Sequence, residues 1–316
     1  MTRINLQISQ YENLSNIRRW QIHAGSNHFC FNGHCITGRN LSGAIIVIGL
    51  ISLTCILWLI FELPILMKEF NNTSLLILIV GLLLIFYTYI YFFRAMCTDP
   101  GIIQRSTSIE RLVLRNKLNL NQMSSDYLNN LTYDIKINGI LVKCKYCITC
   151  QMIRPPRSSH CAICSNCISI LDHHCPFLST CIGMRNYRFF FLFLICLLQT
   201  ELFLFATSLI KILLYMHDGI LSQSIISTIP SYFILIITGS SALYTCNLLG
   251  YQCMISSRGL TTREDDKGIY INENPFNTHS CFNNLAKKLC TSLSPSAYGA
   301  HRLVNQTKYH FMKENI

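Results

Sequence analysis

Four stretches of this chain are too long and too poor in charge for water to be their solvent. A helix crossing a bilayer core needs ~20 predominantly apolar residues. The run GAIIVIGLISLTCILWLIF fills 43–61, and no charge falls between Phe70 and Phe93. A third run begins after Arg188 as FFFLFLICLLQTELFLFATSLI and reaches about Tyr215, and a fourth lies in the uncharged stretch between Asp218 and Arg258. Pro230 sits near the start of the last, where a helix tolerates it. The composition agrees: charged residues are 13% of the chain, about half the ~25% of a soluble protein, and hydrophobic ones 51%. The first run is too far from the N-terminus, behind too long a polar segment, to be a cleaved signal peptide. The sequence therefore predicts an all-α integral membrane protein, with transmembrane helices over 43–66, 70–93, 189–215 and 223–250.

Orientation follows from where Lys and Arg flank the spans. Arg94, Arg105 and Arg111 lie near one end of the long connection between spans 2 and 3, Arg185 and Arg188 near the other, and Arg258, Arg263 and Lys267 open the C-terminal tail. The two other connections hold Lys68 or no such residue near Asp218. The N-terminal segment 1–42, the linker 94–140, the loop 141–188 and the tail 251–316 are thus expected in the cytoplasm. The net charge of +11, from 26 Lys+Arg against 15 Asp+Glu, would suggest nucleic acid in a soluble protein. Here it reads as contact with a lipid bilayer, and no nucleic-acid partner is expected. The sequons at Asn71 and Asn72 would face the lumen, too near the membrane for glycosylation to be expected. Linker residues 107–140 are polar, with one helix near 109–118. Four spans alone fit a channel, a scaffold or a receptor.

The loop is more specific. Of 17 cysteines, eight fall between Cys144 and Cys181. Cys147 and Cys150 are followed by His160-Cys161, then Cys164, Cys167, His174 and Cys181. Paired ligands two residues apart on a tight turn grip tetrahedral zinc, and these eight make two closed Cys3His sites. A cytoplasmic loop is reducing, so disulfides are the poorer reading. Large apolar residues are scarce in the loop, so metal must supply much of its folding energy, about 10 kcal/mol or more per structural site. Cys175 is left over, within Asp172-His173-His174-Cys175-Pro176. It is either a spare ligand or small buried hydrophobe, or a nucleophile with an imidazole as base and a carboxylate orienting that imidazole.

RPPRSSHCAICSNC, DHHCP and CIGMRNYRFF resemble, almost letter for letter, the DHHC cysteine-rich-domain protein S-acyltransferases (palmitoyltransferases). Asp99-Pro100-Gly101 looks like that family's DPG motif, and Thr261-Thr262-Arg263-Glu264 like its TTxE motif. Asn274-Pro275-Phe276 looks like the start of its C-terminal element, with Asn283 or Asn284 as the later asparagine, of which Asn283 is taken as supporting the site. AGSNHFCFNGHCITGRN is similar to the segment before span 1 in plant-like members. The resemblance covers nearly the whole chain. It implies four transmembrane helices with a small zinc-stabilised cytoplasmic cysteine-rich domain between helices 2 and 3. It assigns Cys147, Cys150, His160 and Cys167 to one zinc and Cys161, Cys164, His174 and Cys181 to the other. It makes Cys175 the nucleophile, His173 the free imidazole and Asp172 its partner, with Thr262 beside them. Cys144 lies outside both sites as an accessory thiol or an autoacylation site. Phe177 stands where the family has Trp, Thr180 where Asn is common, and His279 where Gly is usual.

The implied reaction moves a long-chain acyl group, palmitoyl, from acyl-CoA to cysteines of membrane-associated proteins at the cytoplasmic face, through an acyl-enzyme. No ATP site is required, and no GxxxxGK[ST] is present. Arg154, Arg157, Arg185 and Arg188 are candidates for the CoA phosphates, or for headgroup contact or structural pairing instead. Phe177 and Thr200 are expected along the acyl cavity, since Thr200 lies ~18 Å along span 3 from Arg188. Glu201 would be paired against a neighbouring span. An inert scaffold or a channel is the alternative, the latter needing a polar stripe that only Gln199, Thr200, Glu201 and Lys211 offer. Golgi or endoplasmic reticulum is the family's commonest address.

Overall fold

The computed structural model describes residues 17–71, 73–117, 128, 130–217, 225–270 and 272–302. The sequon residue Asn72, linker residues 118–127, the predicted start of the fourth span at 223, and the chain before 17 and after 302 lie outside the described residues. Four helices are long and apolar enough to cross a membrane. They are α1 (Ser42–Glu69), α2 (Ser74–Cys97), α4 (Tyr187–His217) and α5 (Ile225–Ser257), with α3 (Ser108–Lys117) lying between α2 and α4 in the chain. Two short helices follow, α6 (Thr262–Asp266) and α7 (Cys281–Leu289).

The span boundaries differ from the sequence reading, most of all at α5, which continues to Ser257 where an end at 250 was expected. α2 begins at Ser74 rather than at 70 and continues to Cys97, so Arg94 falls in its last turn instead of beyond it. Its guanidinium lies 4.2 Å above the Phe189 ring, a cation–π contact that keeps the charge at the helix edge. α1 runs through Glu62 to Glu69, beyond the predicted end at 66, and changes to π-helical winding over Trp58–Glu62. Pro64 has no N–H for the carbonyl one turn back, and a widened turn is one way to absorb that loss. Trp58 at the start of this turn is fully buried and donates from Nε1 to Thr207 Oγ1 at 3.0 Å. A Cβ at Gly81 of α2 would sit 2.6 Å from the Trp58 ring, so glycine is what lets α2 approach α1 there. Glu62 itself is closed off by Lys211 Nζ at 3.4 Å and by the Ser231 hydroxyl at 2.6 Å. With Lys211 paired this way and Gln199 facing outward, the residues that could have formed a channel stripe do not line one path.

The cysteine-rich region is built of short antiparallel hairpins. The strands β3 (Thr132–Ile137), β4 (Ile140–Cys147) and β5 (Met152–Ile153) form a sheet that starts within the predicted linker. β6 (Ser159–Cys161) pairs with β7 (Asn166–Ile168), and β8 (His173–Cys175) with β9 (Thr180–Ile182). Another hairpin, β1 (His28–Cys30) with β2 (Cys35–Thr37), leads into α1. Runs this short bury too little apolar surface to stand alone.

The DPG segment joins the two regions. Asp99 Oδ1 accepts from the backbone N–H of Gly101 and of Ile102, each at 2.9 Å, which turns the chain directly after α2. Ile102 then bridges to Ile168 of β7. The start of α1 leans on the loop after β8: a Cβ at Gly43 would lie 2.0 Å from the Pro176 carbonyl oxygen. A buried cluster including Phe92, Leu178, Ile182, Tyr187 and Phe190 packs around Cys175 and ties the β8–β9 hairpin to the head of the bundle.

Candidate active site and metal centres

The hairpin register brings the metal-binding residue types together. His160 faces Cys167 across β6–β7, and His174 faces Cys181 across β8–β9. The knuckles at Cys147/Cys150 and Cys161/Cys164 close on them, and in each group all four ligand atoms lie within 4.8 Å of one another. His160 Nδ1 is 3.6, 3.6 and 3.8 Å from the Cys147, Cys150 and Cys167 sulfurs. His174 Nδ1 is 3.7, 3.5 and 3.5 Å from those of Cys161, Cys164 and Cys181. Zinc–nitrogen arms of ~2.0 Å and zinc–sulfur arms of ~2.3 Å at the tetrahedral angle give an N···S edge of ~3.5 Å. Both groups therefore fit a tetrahedral zinc ion. Cys144 is buried on β4, outside both groups, and burial raises its thiol pKa.

β8 alternates its side chains, as a strand must. His174 turns to the metal group, while His173 and Cys175 turn together to the other face. His173 Nδ1 is 2.8 Å from Asp172 Oδ2, which leaves Nε2 as the free ring nitrogen. The Cys175 sulfur lies close to the same ring. The ring's edge packs on Phe190 of α4 at 5.2 Å.

Asp172 is only 1% exposed and its carboxylate is fully engaged. Thr262 donates from Oγ1 to Oδ2 at 2.6 Å and from its backbone N–H to Oδ1 at 3.1 Å. Lys288 Nζ is 3.4 Å from Oδ1. Burial alone would raise the Asp172 pKa; the His173 bond, the Lys288 charge and the Thr262 hydroxyl together hold it well below the carboxylate range. Burial pulls the His173 pKa down, but Asp172 and Cys175 overcome this and lift it to about 9. The pair is thus arranged to favour an imidazolium beside a carboxylate. Thr261, not Thr262, caps α6, exchanging bonds with Glu264 in a capping box.

A cavity of about 310 Å³ runs from Cys175 and Phe177 into the bundle between α1, α4 and α5, as far as Thr200 and Glu201. Phe177 is half exposed at its mouth, edge-on to Tyr244 at 6.3 Å. Glu201 is paired with Ser241 of α5.

Some expected site residues fall elsewhere. Asn283 is exposed, and the asparagine that works is Asn284, which is buried. Asn284 donates to the Ser257 carbonyl at 2.8 Å and accepts from the Thr278 N–H at 2.9 Å, so it pins α7 to the end of α5. Arg157 is held by Glu264 at 2.5 Å and by the Gly259 carbonyl at 2.8 Å. Arg185 is held by Asp99 at 3.1 Å and the Ser294 carbonyl at 2.9 Å. These two serve structural pairing, which leaves Arg154 and Arg188 as the arginines with lighter protein contacts. His279 adopts φ +57°, the left-handed region that explains why glycine suits the position. Thr180, beside Cys181, is fully buried with no partner for its hydroxyl.

Sequence reasoning missed Lys288 and the pair Tyr187 and Gln252. Lys288 also lies 3.6 Å over the Tyr187 ring, and Gln252 links the Tyr187 hydroxyl (2.8 Å) to Thr262 (3.1 Å). They reach the site by tertiary packing of α4, α5 and α7, and no spacing in the chain signals it.

A family model described as DHHC palmitoyltransferase matches residues 142–269. Palmitoyltransferase ZDHHC18 of Mus musculus is 32% identical over 286 residues, covering 88% of this chain and 74% of its own. Palmitoyltransferase ZDHHC18-B of Danio rerio is 34% identical over 289 residues, with 88% and 74% covered. Palmitoyltransferase ZDHHC14 of Homo sapiens is 32% identical over 288 residues, with 88% and 58% covered. These vertebrate relatives give the likeness to plant-like members no support.

Proposed function

The chain belongs to the DHHC palmitoyltransferase family and is a multi-pass membrane protein S-acyltransferase, and from that premise we propose which residues carry the transfer. Cys175 is the nucleophile, His173 the general base and Asp172 the group that orients it. Acyl-CoA is the donor. The observation that carries this reading is the position of Cys175, with the His173–Asp172 pair on one side and the apolar cavity on the other.

His173 Nε2 takes the Cys175 thiol proton, a transfer that the raised basicity of the ring favours, and the resulting thiolate attacks the thioester carbonyl. Asp172 stabilises the imidazolium that forms, and Thr262 and Lys288 keep the carboxylate in place. The carbon–sulfur bond to CoA breaks, the CoA thiolate takes the proton from the His173 imidazolium as it leaves, and the acyl group rests on Cys175. The chain lies in the cavity, whose volume is within the range of ligand pockets. A cysteine thiol of a protein substrate at the cytoplasmic membrane face then attacks, His173 accepts its proton, the bond from the acyl carbon to the Cys175 sulfur breaks, and the proton returns to the Cys175 thiolate. One thioester replaces another at each step, so no further energy source is needed. Zinc in the two Cys3His groups would hold the hairpins rigid, which a catalytic arrangement on such short strands requires. Arg154, and Arg188 in a pocket that Lys287 also lines, are the cations offered to the CoA phosphates. The compartment proposed is the Golgi or endoplasmic reticulum, to be tested by microscopy of the tagged chain.

The test is labelled palmitoyl-CoA with purified protein. Wild type should gain a thioester label that hydroxylamine removes. Cys175→Ser should gain no such label while keeping two zinc ions per chain. Full hydroxylamine-sensitive labelling of the serine variant sinks the assignment, and loss of one zinc would make Cys175 a ligand.

A further inference from the structure

The cavity described above has two unlike ends. Near the hairpin its wall is Cys175, Leu178, Phe190 and Phe193. Its deep wall carries threonines and a carboxylate; three of the threonines are spent on their own helices, and the fourth, Thr245 of α5, lies beside the carboxylate. Thr54 donates to the Ile51 carbonyl at 3.0 Å, Thr200 to that of Cys196 at 2.9 Å and Thr238 to that of Ile234 at 2.7 Å. Glu201 is different. It is 6% exposed, and its Oε1 accepts from the Ser241 hydroxyl. Its Oε2 is buried with no hydrogen-bond partner. Among the described residues it is the orphan polar atom on a residue lining this cavity.

Its depth gives the orphan a meaning. Phe190 packs on His173, and Glu201 lies eleven residues further along α4, ~16 Å by helical rise. One leaflet of hydrocarbon is ~15 Å thick. A chain that fills one leaflet and starts at Cys175 therefore ends near Glu201. A methyl end there leaves Oε2 desolvated and unpaired, which is unfavourable. A hydroxyl at the chain's end would donate to it.

We infer that the cavity takes, besides the plain acyl chain, a fatty acyl chain with a hydroxyl at its distal end, recognised by a hydrogen bond to Glu201 at the cavity's deep wall. Glu201 is then a specificity-determining residue for the donor, and the hydroxyl takes no part in the thioester exchange. The inference rests on the acyl-transfer reading of Cys175. It differs from a length measure, because it separates chains of equal length by the polarity of their ends.

The experiment gives the zinc-loaded full chain an equimolar mixture of palmitoyl-CoA and ω-hydroxypalmitoyl-CoA and reads the two Cys175 adducts by intact mass, which differ by one oxygen. A second mixture replaces the ω-hydroxy donor with one hydroxylated at mid-chain. The hydroxy-to-plain adduct ratio should be higher for the ω-hydroxy donor than for the mid-chain one. It should fall roughly tenfold in Glu201→Leu, the size of one buried hydrogen bond. Glu201→Gln, which keeps a carbonyl oxygen and nearly the same shape, should retain part of the preference, so the test survives a leucine variant that does not fold. Equal ratios for the two hydroxylated donors on wild type overturn the inference, as does a ratio that neither variant moves. No Cys175 adduct from palmitoyl-CoA alone would instead overturn the acyl-transfer reading beneath it.

Discussion

The cysteine-rich hairpins and the membrane bundle become rigid in opposite ways, and Cys175 lies where they meet. In the hairpins the buried positions near the site are largely ligands: Cys147, Cys150 and Cys167 form a cluster of their own with few apolar neighbours. In the bundle the buried positions are aromatic and aliphatic, as in the packing of Trp58, Phe203 and Leu204 between α1 and α4. Cys175 belongs to both, as it lies on the β8–β9 hairpin that pairs His174 with Cys181 while its neighbours Leu178 and Phe190 belong to the bundle's core. The lesson is that Cys175 takes its polar geometry from short strands that carry the two Cys/His groups and its apolar surroundings from the helices. Perturbing one region should leave a recognisable remainder of the other.

The largest expected effect comes from stripping the metal. A chelator that removes both zinc ions should abolish Cys175 acylation while leaving most of the far-UV helical signal, since α1, α2, α4 and α5 do not depend on the ligand groups. Loss of helical signal in step with zinc would break the separation of the two regions.

The adjacent histidines sharpen the comparison on a scale of one residue. His174→Ala removes a ligand and should cost one zinc per chain and the activity with it. His173→Ala should keep both zinc ions and slow acyl-enzyme formation by ~10²–10⁴-fold, the usual loss for a general base. Metal analysis alongside single-turnover labelling separates the two, and equal zinc loss in both variants would show that the faces of β8 are not divided in this way.

What was legible in the sequence follows the same division. Metal coordination demands particular residue types at knuckle spacing, so the eight cysteines and histidines stood out without any knowledge of folding. Spans were legible because lipid excludes charge over a fixed length. Lys211 misled for the same reason, because its pairing with Glu62 across α1 and α4 hides charge that a linear reading takes as part of a pore. Lys288 was not legible, since only the return of α7 against α4 and α5 places it on Asp172. The choice between Asn283 and Asn284 turned on one residue of helical register, which Ser280 capping α7 decides and a motif does not.

Thr262 belongs to the bundle side of the junction yet acts on the hairpin side. Thr262→Val should lose the 2.6 Å bond to Asp172 while Thr261 still caps α6. The rate of Cys175 acylation should fall roughly tenfold, the scale of one charge-assisted hydrogen bond, with zinc content unchanged. A wild-type rate in stopped-flow labelling would mean that the backbone N–H of residue 262 and Lys288 suffice to hold the carboxylate.

The smallest expected effect is a change of preference rather than of rate, and it lies wholly within the bundle. Thr200 is buried on the cavity wall, but its hydroxyl is engaged elsewhere, with the Cys196 carbonyl at 2.9 Å and Thr88 Oγ1 of α2 at 2.9 Å. What it offers an acyl chain is therefore its small size, not a hydrogen bond. It lies ~18 Å along α4 from Arg188 by helical rise, slightly beyond the ~15 Å of one leaflet. A site that small at that depth leaves room for a chain of about eighteen carbons. Thr200→Phe fills the space with a ring, and Thr88 remains satisfied because its hydroxyl also bonds to the Leu84 carbonyl at 2.9 Å. The variant should fold, hold two zinc ions and label Cys175 fully from a donor of about fourteen carbons, while labelling from the longest donors falls. Competition between donors of different length, read as the mass of the Cys175 adduct, measures the shift. If the profile stays as in wild type, the chain does not pass Thr200. The cavity's limit would then be sought on α1, at Leu50, Ile51 and Thr54, which line the opposite wall.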